Sequence, residues 1–136
     1  MRVKNWNGKL IDWASNQIGK KLNYGEIDCV MICRKGIEVI YGKDIFADVG
    51  TWHNKTLALK AYSKAKPLSN YLLNNGWSPV EKNYLQNGDI VILETEPLQT
   101  ATLVINNEIL VIDPEKGVQR QDLRMVKHDY FCFKLR

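Results

Sequence analysis

At 136 residues with 45% hydrophobic and 25% charged content, the chain can bury one real core and has little room for a second, so a single domain over residues 1–136 is expected. Nineteen Lys and Arg against fifteen Asp and Glu leave a net charge of only +4. The basic residues form no dense run interleaved with aromatics, which argues against nucleic-acid binding while permitting attraction to acidic cell-wall polymers, membranes or an acidic protein.

In chain order, Leu10, Trp13, Ala14 and Gln17-Ile18 recur at helical spacing beside Trp6 and predict an amphipathic helix from about Asn7 to Gln17, with Gly19 a natural stop. The stretch before it lacks a continuous apolar run, so neither a secretory signal nor a membrane span is expected. Tyr24-Gly25-Glu26-Ile27-Asp28-Cys29 then delivers a cysteine, after a Gly turn and an Asp, onto the first turn of a second helix that runs to Tyr41. A helix N-terminus offers unpaired N–H groups and a partial positive charge, and both favour thiolate over thiol. Asp28 is suited to cap that helix. Cys33, Ile37, Ile40 and Tyr41 fall on one face, with Arg34, Lys35 and Glu38 mostly on the other. A cysteine so placed is either a nucleophile or a small buried hydrophobe, and the residue alone leaves both open.

Tyr41-Gly42-Lys43-Asp44 reads as a turn, followed by an irregular stretch through Phe46, Val49-Gly50 and Trp52. Thr56 to Lys64 predicts a third helix with Leu57, Ala58, Ala61 and Tyr62 inward, and Pro67 starts a fourth from Leu68 to Asn74. From residue 77 the pattern turns to extended runs: a short strand holding Val80, a buried strand Asp89 to Leu93, and a hairpin of Thr100 to Ile105 with Ile109 to Ile112 about Asn106-Asn107-Glu108. Tyr130 to Phe133 is a closing strand. Gly88-Asp89 reads as a strand-initiating turn, and Asp113 to Gly117 as a turn whose two acids could draw a cation. Trp6 and Trp13 are expected in the core, and Trp52 is kept as a ligand or partner contact. The odd count of three cysteines, Cys29, Cys33 and Cys132, makes no disulfide framework and fits a reducing compartment. His53 and His128 lie far from Cys29 and Cys33 in sequence, so neither a metal site nor a cofactor is expected. Helices first and strands second imply an α+β domain with an antiparallel sheet.

In this order the motifs resemble the NlpC-like papain-fold cell-wall endopeptidases, especially the small version encoded by tailed phages. The resemblance rests on Tyr24-Gly25 with Asp28-Cys29, Gly88-Asp89-Ile90-Val91-Ile92, Thr100 to Ile105, and Leu110 to Pro114 followed by Gly117-Val118, over roughly residues 7–135. It implies a papain-like, NlpC-type fold in which N-terminal helices pack on a C-terminal antiparallel sheet. It puts Cys29 at the family's nucleophile, Thr100 where the base histidine stands, and Ile112 at the third polar position, with Tyr24 and Trp52 as binding candidates. A one-residue slip would offer Gln99 or Ala101, and neither is a base.

In the family's mechanism the histidine keeps the thiol ionised and later protonates the leaving amine. A helix N-terminus alone supplies about 0.3–1 kcal/mol, so a thiol starting near a pKa of about 8.5 stays mostly protonated at pH 7. The lost general acid is worth about 10²–10⁴-fold in addition. Two function classes follow. The favoured one is a degenerate domain, a pseudoenzyme serving as a structural or interaction component of a phage virion or tail after synthesis in the host cytoplasm, with other virion proteins and peptidoglycan peptides as partners. The alternative is an active cysteine peptidase or amidase on peptidoglycan that uses Cys29 with His53, or a base from another chain, in place of the missing histidine. An effector that traps a partner through Cys29 is a third.

Overall fold

The computed structural model describes residues 1–64, 67–95 and 99–135, with the side chains of residues 62–64 apart, so the inward placement expected of Tyr62 lies outside the described residues. Helix α1 (Trp6–Gln17) buries Leu10, Ala14 and Gln17 at the expected spacing. Helix α2 (Cys29–Tyr41) begins at the expected cap, Asp28, and ends at Gly42, whose left-handed backbone turns its N–H onto the Glu38 carbonyl at 2.8 Å. One expectation on α2 fails: Arg34 is buried, because its guanidinium finds Asp44 in the following loop at 2.7 Å. A charge pairs inside a fold when a partner far along the chain is brought to it. Two further helices, α3 (Lys55–Lys64) and α4 (Leu68–Asn74), follow, with Pro67 preceding α4.

Six strands, β1 (Trp77–Pro79), β2 (Ile90–Leu93), β3 (Thr100–Ile105), β4 (Glu108–Asp113), β5 (Gly117–Asp122) and β6 (Tyr130–Leu135), form one antiparallel sheet in the order β1-β6-β2-β3-β4-β5. The β3–β4 hairpin turns on Asn106 and Asn107, both at positive φ, the conformation that a two-residue turn between twisted strands needs. Val80 lies just past β1, and its N–H still bonds the Cys132 carbonyl at 2.9 Å. Strand β5 was not expected. Its sequence, Gly-Val-Gln-Arg-Gln-Asp, buries only Gly117 and Val118, so it carries no apolar alternation to betray it.

The helices cover one face of the sheet, where Ile90, Ile92, Leu103 and Phe133 meet Leu10, Ile37 and Ile40. Val91, Val104, Ile109 and Cys132 form a smaller cluster on the opposite face under Leu85, Leu123 and Tyr130. Gly36 sets how closely α2 approaches β3. A Cβ there would stand 2.1 Å from Leu103 Cδ1 and 3.0 Å from Trp13, so a larger residue would force those side chains to shift.

Candidate functional site

The turn before α2 is built first. Asn23 and Ile27 exchange backbone hydrogen bonds of 2.8 and 2.7 Å, closing a tight loop with Gly25 at φ +92°. A Cβ on Gly25 would fall 1.8 Å from the Trp52 carbonyl oxygen, so the loop after α2 lies directly on this turn. Asp28, 2% exposed, ties three segments together. Its Oδ1 accepts the Met31 N–H at 2.8 Å, and its Oδ2 accepts the Gly25 N–H and the Trp52 indole N–H, each at 2.8 Å.

That network corrects one expectation. Trp52, kept from the sequence as a ligand or partner contact, is 5% exposed with its N–H on Asp28, and it anchors the loop to the cap. Tyr24 is half-buried and packs against the same core. A residue that sequence reasoning missed helps hold the loop: Arg34 donates to both Asp44 carboxylate oxygens and to the Gly50 carbonyl, fixing the segment that carries Trp52. The signal was present as an arginine directly after the apolar run Val30-Met31-Ile32-Cys33 and an acid ten residues on. The Arg34 hydrogen bonds hold the Asp44 carboxyl below the usual carboxylate range.

Cys29 takes the first position of α2, where helix N–H groups favour a thiolate. The opposite effect wins. Burial, and then the charge of Asp28, push the thiol up to about 11, against the backbone N–H groups of Val30, Ala101 and Cys29 itself, which pull it down. Beside it lies a small apolar cavity of about 50 Å³ whose walls include Val30, Cys33, Trp52, Ile92 and Ala101. Cys33, one turn further along, is buried, and desolvation raises its thiol also.

The strand facing Cys29 is β3, and its register corrects the expected base position. Ala101, Leu103 and Ile105 join the core on the helix side. Thr100 pairs with Leu93, which packs on the opposite face, and its hydroxyl meets the Thr95 hydroxyl at 3.3 Å. Successive strand residues alternate between faces, so Ala101 and not Thr100 lies on the helix side, and it is the Ala101 N–H that acts on the Cys29 sulfur. Ile112, expected at the third position, lies on the helix side of β4 against the core and offers only hydrocarbon.

His53, the expected alternative base, follows Trp52 with an exposed side chain and is not among the groups that act on the Cys29 thiol. Its backbone, beside Gly25, is what the loop contributes there. His128 is exposed in the turn before β6. Asp89 closes the expected turn, its carboxylate accepting the Gln86 N–H at 2.9 Å, and Asp113 does the same for Glu115 and Lys116 at 2.8 Å. Among the described residues, no group of three or more His, Cys, Asp or Glu could hold a metal ion, and no helix is long and apolar enough to cross a membrane.

The family described as a domain of unknown function (DUF6950) matches residues 1–130. No curated protein matches the sequence. Two solved structures share the fold over nearly their whole lengths. One is RipD from Mycobacterium tuberculosis, described as a non-catalytic NlpC/p60 domain protein with an adaptation to peptidoglycan-binding function. It is 15% identical at a TM-score of 0.52, covering 98% of this chain and 100% of that one. The other is the P60 domain from the Mycobacterium avium subspecies paratuberculosis antigen MAP1204, 15% identical at a TM-score of 0.51, covering 97% and 96%. Among the described residues, four N-terminal helices on a C-terminal six-stranded antiparallel sheet make the NlpC/p60 papain-like fold.

Proposed function

We propose, because the chain belongs to the DUF6950 family and carries an NlpC/p60 fold, that it is a non-catalytic domain acting as a structural or interaction component. The observation that carries the reading is what acts on Cys29: burial and the Asp28 charge raise its thiol, only backbone N–H groups, that of Ala101 among them, oppose them, and no histidine stands with them where the mechanism needs a base. RipD, described as non-catalytic and peptidoglycan-binding, supports the same direction and makes peptidoglycan peptides a candidate partner. The assembly we assign is a phage virion or tail, reached after synthesis in the host cytoplasm. That assignment rests on the motif order shared with the small phage-encoded branch.

One observation favours the second reading, an active cysteine peptidase. The N–H groups of Cys29, Val30 and Ala101 act on the sulfur, and donors so gathered could stabilise a developing oxyanion. A base would then have to come from outside the chain. Incubating purified protein with peptidoglycan and its stem peptides separates the two. No new amine ends are expected, and cleavage that disappears in Cys29→Ser would overturn the non-catalytic reading. Purified virions are expected to contain the chain at a fixed copy number, and its absence from them would remove the virion assignment.

A further inference from the structure

Away from Cys29, the end of α1, the segment after it and one side of α2 line an open, shallow groove of about 600 Å³. Three lysines line it, Lys20, Lys21 and Lys35, against one acid, Glu26. Two of the ammonium groups are aimed by neutral acceptors. Lys35 Nζ donates to the Glu26 backbone carbonyl at 3.0 Å, and Lys20 Nζ to the Gln17 side-chain oxygen at 3.3 Å. Glu26 turns its carboxylate to the Asn23 amide at 3.2 Å. None of the three lysines is in a salt bridge among the described residues. The charges of Lys20 and Lys35 are therefore held in place without being neutralised, which lowers the cost of ordering them around an anion, while Lys21 also acts on the Asp113 carboxylate.

The rest of the lining is apolar: half-buried Trp13, and Leu22 at 49% exposure. We propose that this groove binds an acidic protein segment, one in which carboxylate side chains flank an apolar residue, with the carboxylates on Lys20, Lys21 and Lys35 and the apolar residue against Trp13 and Leu22. Three lysines beside hydrocarbon make no track for a regularly spaced phosphate backbone. The proposal rests on the reading of the chain as an interaction component and supplies the chemistry of its partner.

The test uses the full chain and a fluorescein-labelled synthetic peptide alternating Glu with Leu, followed by anisotropy at low and physiological salt. Binding is expected to weaken about tenfold in Lys20→Ala/Lys21→Ala/Lys35→Ala, because each exposed pair contributes a few-fold, and to weaken on adding salt. Leu22→Ser should weaken it as well, while a peptide alternating Glu with Ser binds less tightly. Equal binding by the lysine triple variant, with circular dichroism unchanged, would overturn the proposal. So would equal or tighter binding of anionic lipid vesicles or of an oligonucleotide. Cys29 has no part in the measurement, so failure here leaves the virion copy number and the peptidoglycan assay as independent tests of the function.

Discussion

Replacing Asp28 removes the one group on which the cap, the turn and the aromatic loop all converge. Its carboxylate accepts three N–H groups at 2.8 Å, from Met31, Gly25 and Trp52. Hydrogen bonds to a charged acceptor contribute about 1.5–3 kcal/mol each, and buried donors left unsatisfied cost about 1–3 kcal/mol each. The three share one acceptor and cannot simply be summed, so Asp28→Ala is expected to cost about 4–6 kcal/mol, near the whole stability of a small domain. Asp28→Asn keeps the shape and one acceptor oxygen but turns an NH₂ toward a donor, for a loss of about 2–3 kcal/mol. Urea unfolding followed by circular dichroism measures both, and Asp28→Asn remains informative if Asp28→Ala does not fold. The same asparagine variant tests the electrostatics. The Asp28 charge raises the Cys29 thiol, so removing it should lower the pKa seen in the pH dependence of alkylation, while burial keeps it above the ordinary value. A loss below about 1 kcal/mol in Asp28→Ala, or a Cys29 pKa that rises in Asp28→Asn, would refute the account.

Gly25→Ala should destabilise by more than about 2 kcal/mol in thermal melts, since left-handed backbone is unfavourable for alanine and the new methyl meets the Trp52 carbonyl. Arg34→Met leaves Asp44 without its cation and is expected to cost about 2–4 kcal/mol, less than for a fully buried pair because Asp44 is partly exposed. Asp44 has a depressed folded pKa, so its stabilisation is present above the unfolded value of about 3.9 and is lost as pH falls through the lower folded value; the gap between wild type and Asp44→Asn should close below about pH 4. Ala101→His puts an imidazole opposite the thiol, and the alkylation pKa of Cys29 should fall from about 11 to below the ordinary thiol value, with an overpacking cost of about 1–3 kcal/mol. An unchanged pKa would mean that Ala101 does not face the sulfur.

The helices were legible because their apolar residues recur at the period of the helix, and the capped start of α2 because Gly25, Asp28 and Cys29 announce it locally. The hairpin was legible from Asn106-Asn107 for the same reason. What stayed hidden depends on partners distant in sequence. Arg34 looks like a surface charge until Asp44 is brought to it, and Trp52 looks like an exposed aromatic until the fold hands its N–H to Asp28. The register of β3 was hidden differently. Thr100-Ala101-Thr102 is too small and mixed to mark its buried face, and a slip of one residue exchanges the faces, so the sequence could say that no base was there but not which residue filled the place. Strand β5, with Val118 as its only buried apolar side chain, pairs because β4 lies beside it and not because of its own pattern.

The position of β6 between β1 and β2 carries a consequence for how the molecule is made. Fifty residues lie between β1 and β6, and among the described strands β6 is the furthest along the chain. Until it arrives β1 has no hydrogen-bonded neighbour and β2 keeps an open edge, with Val91 and Ile92 poised to pair with any extended chain that comes near. Helices α1 and α2 can meet early during synthesis, but the sheet waits for residues 130–135. Its assembly is therefore a late, non-local event, slowed by the entropy of closing a long loop, and the newly made chain is most open to mispairing just before β6 inserts.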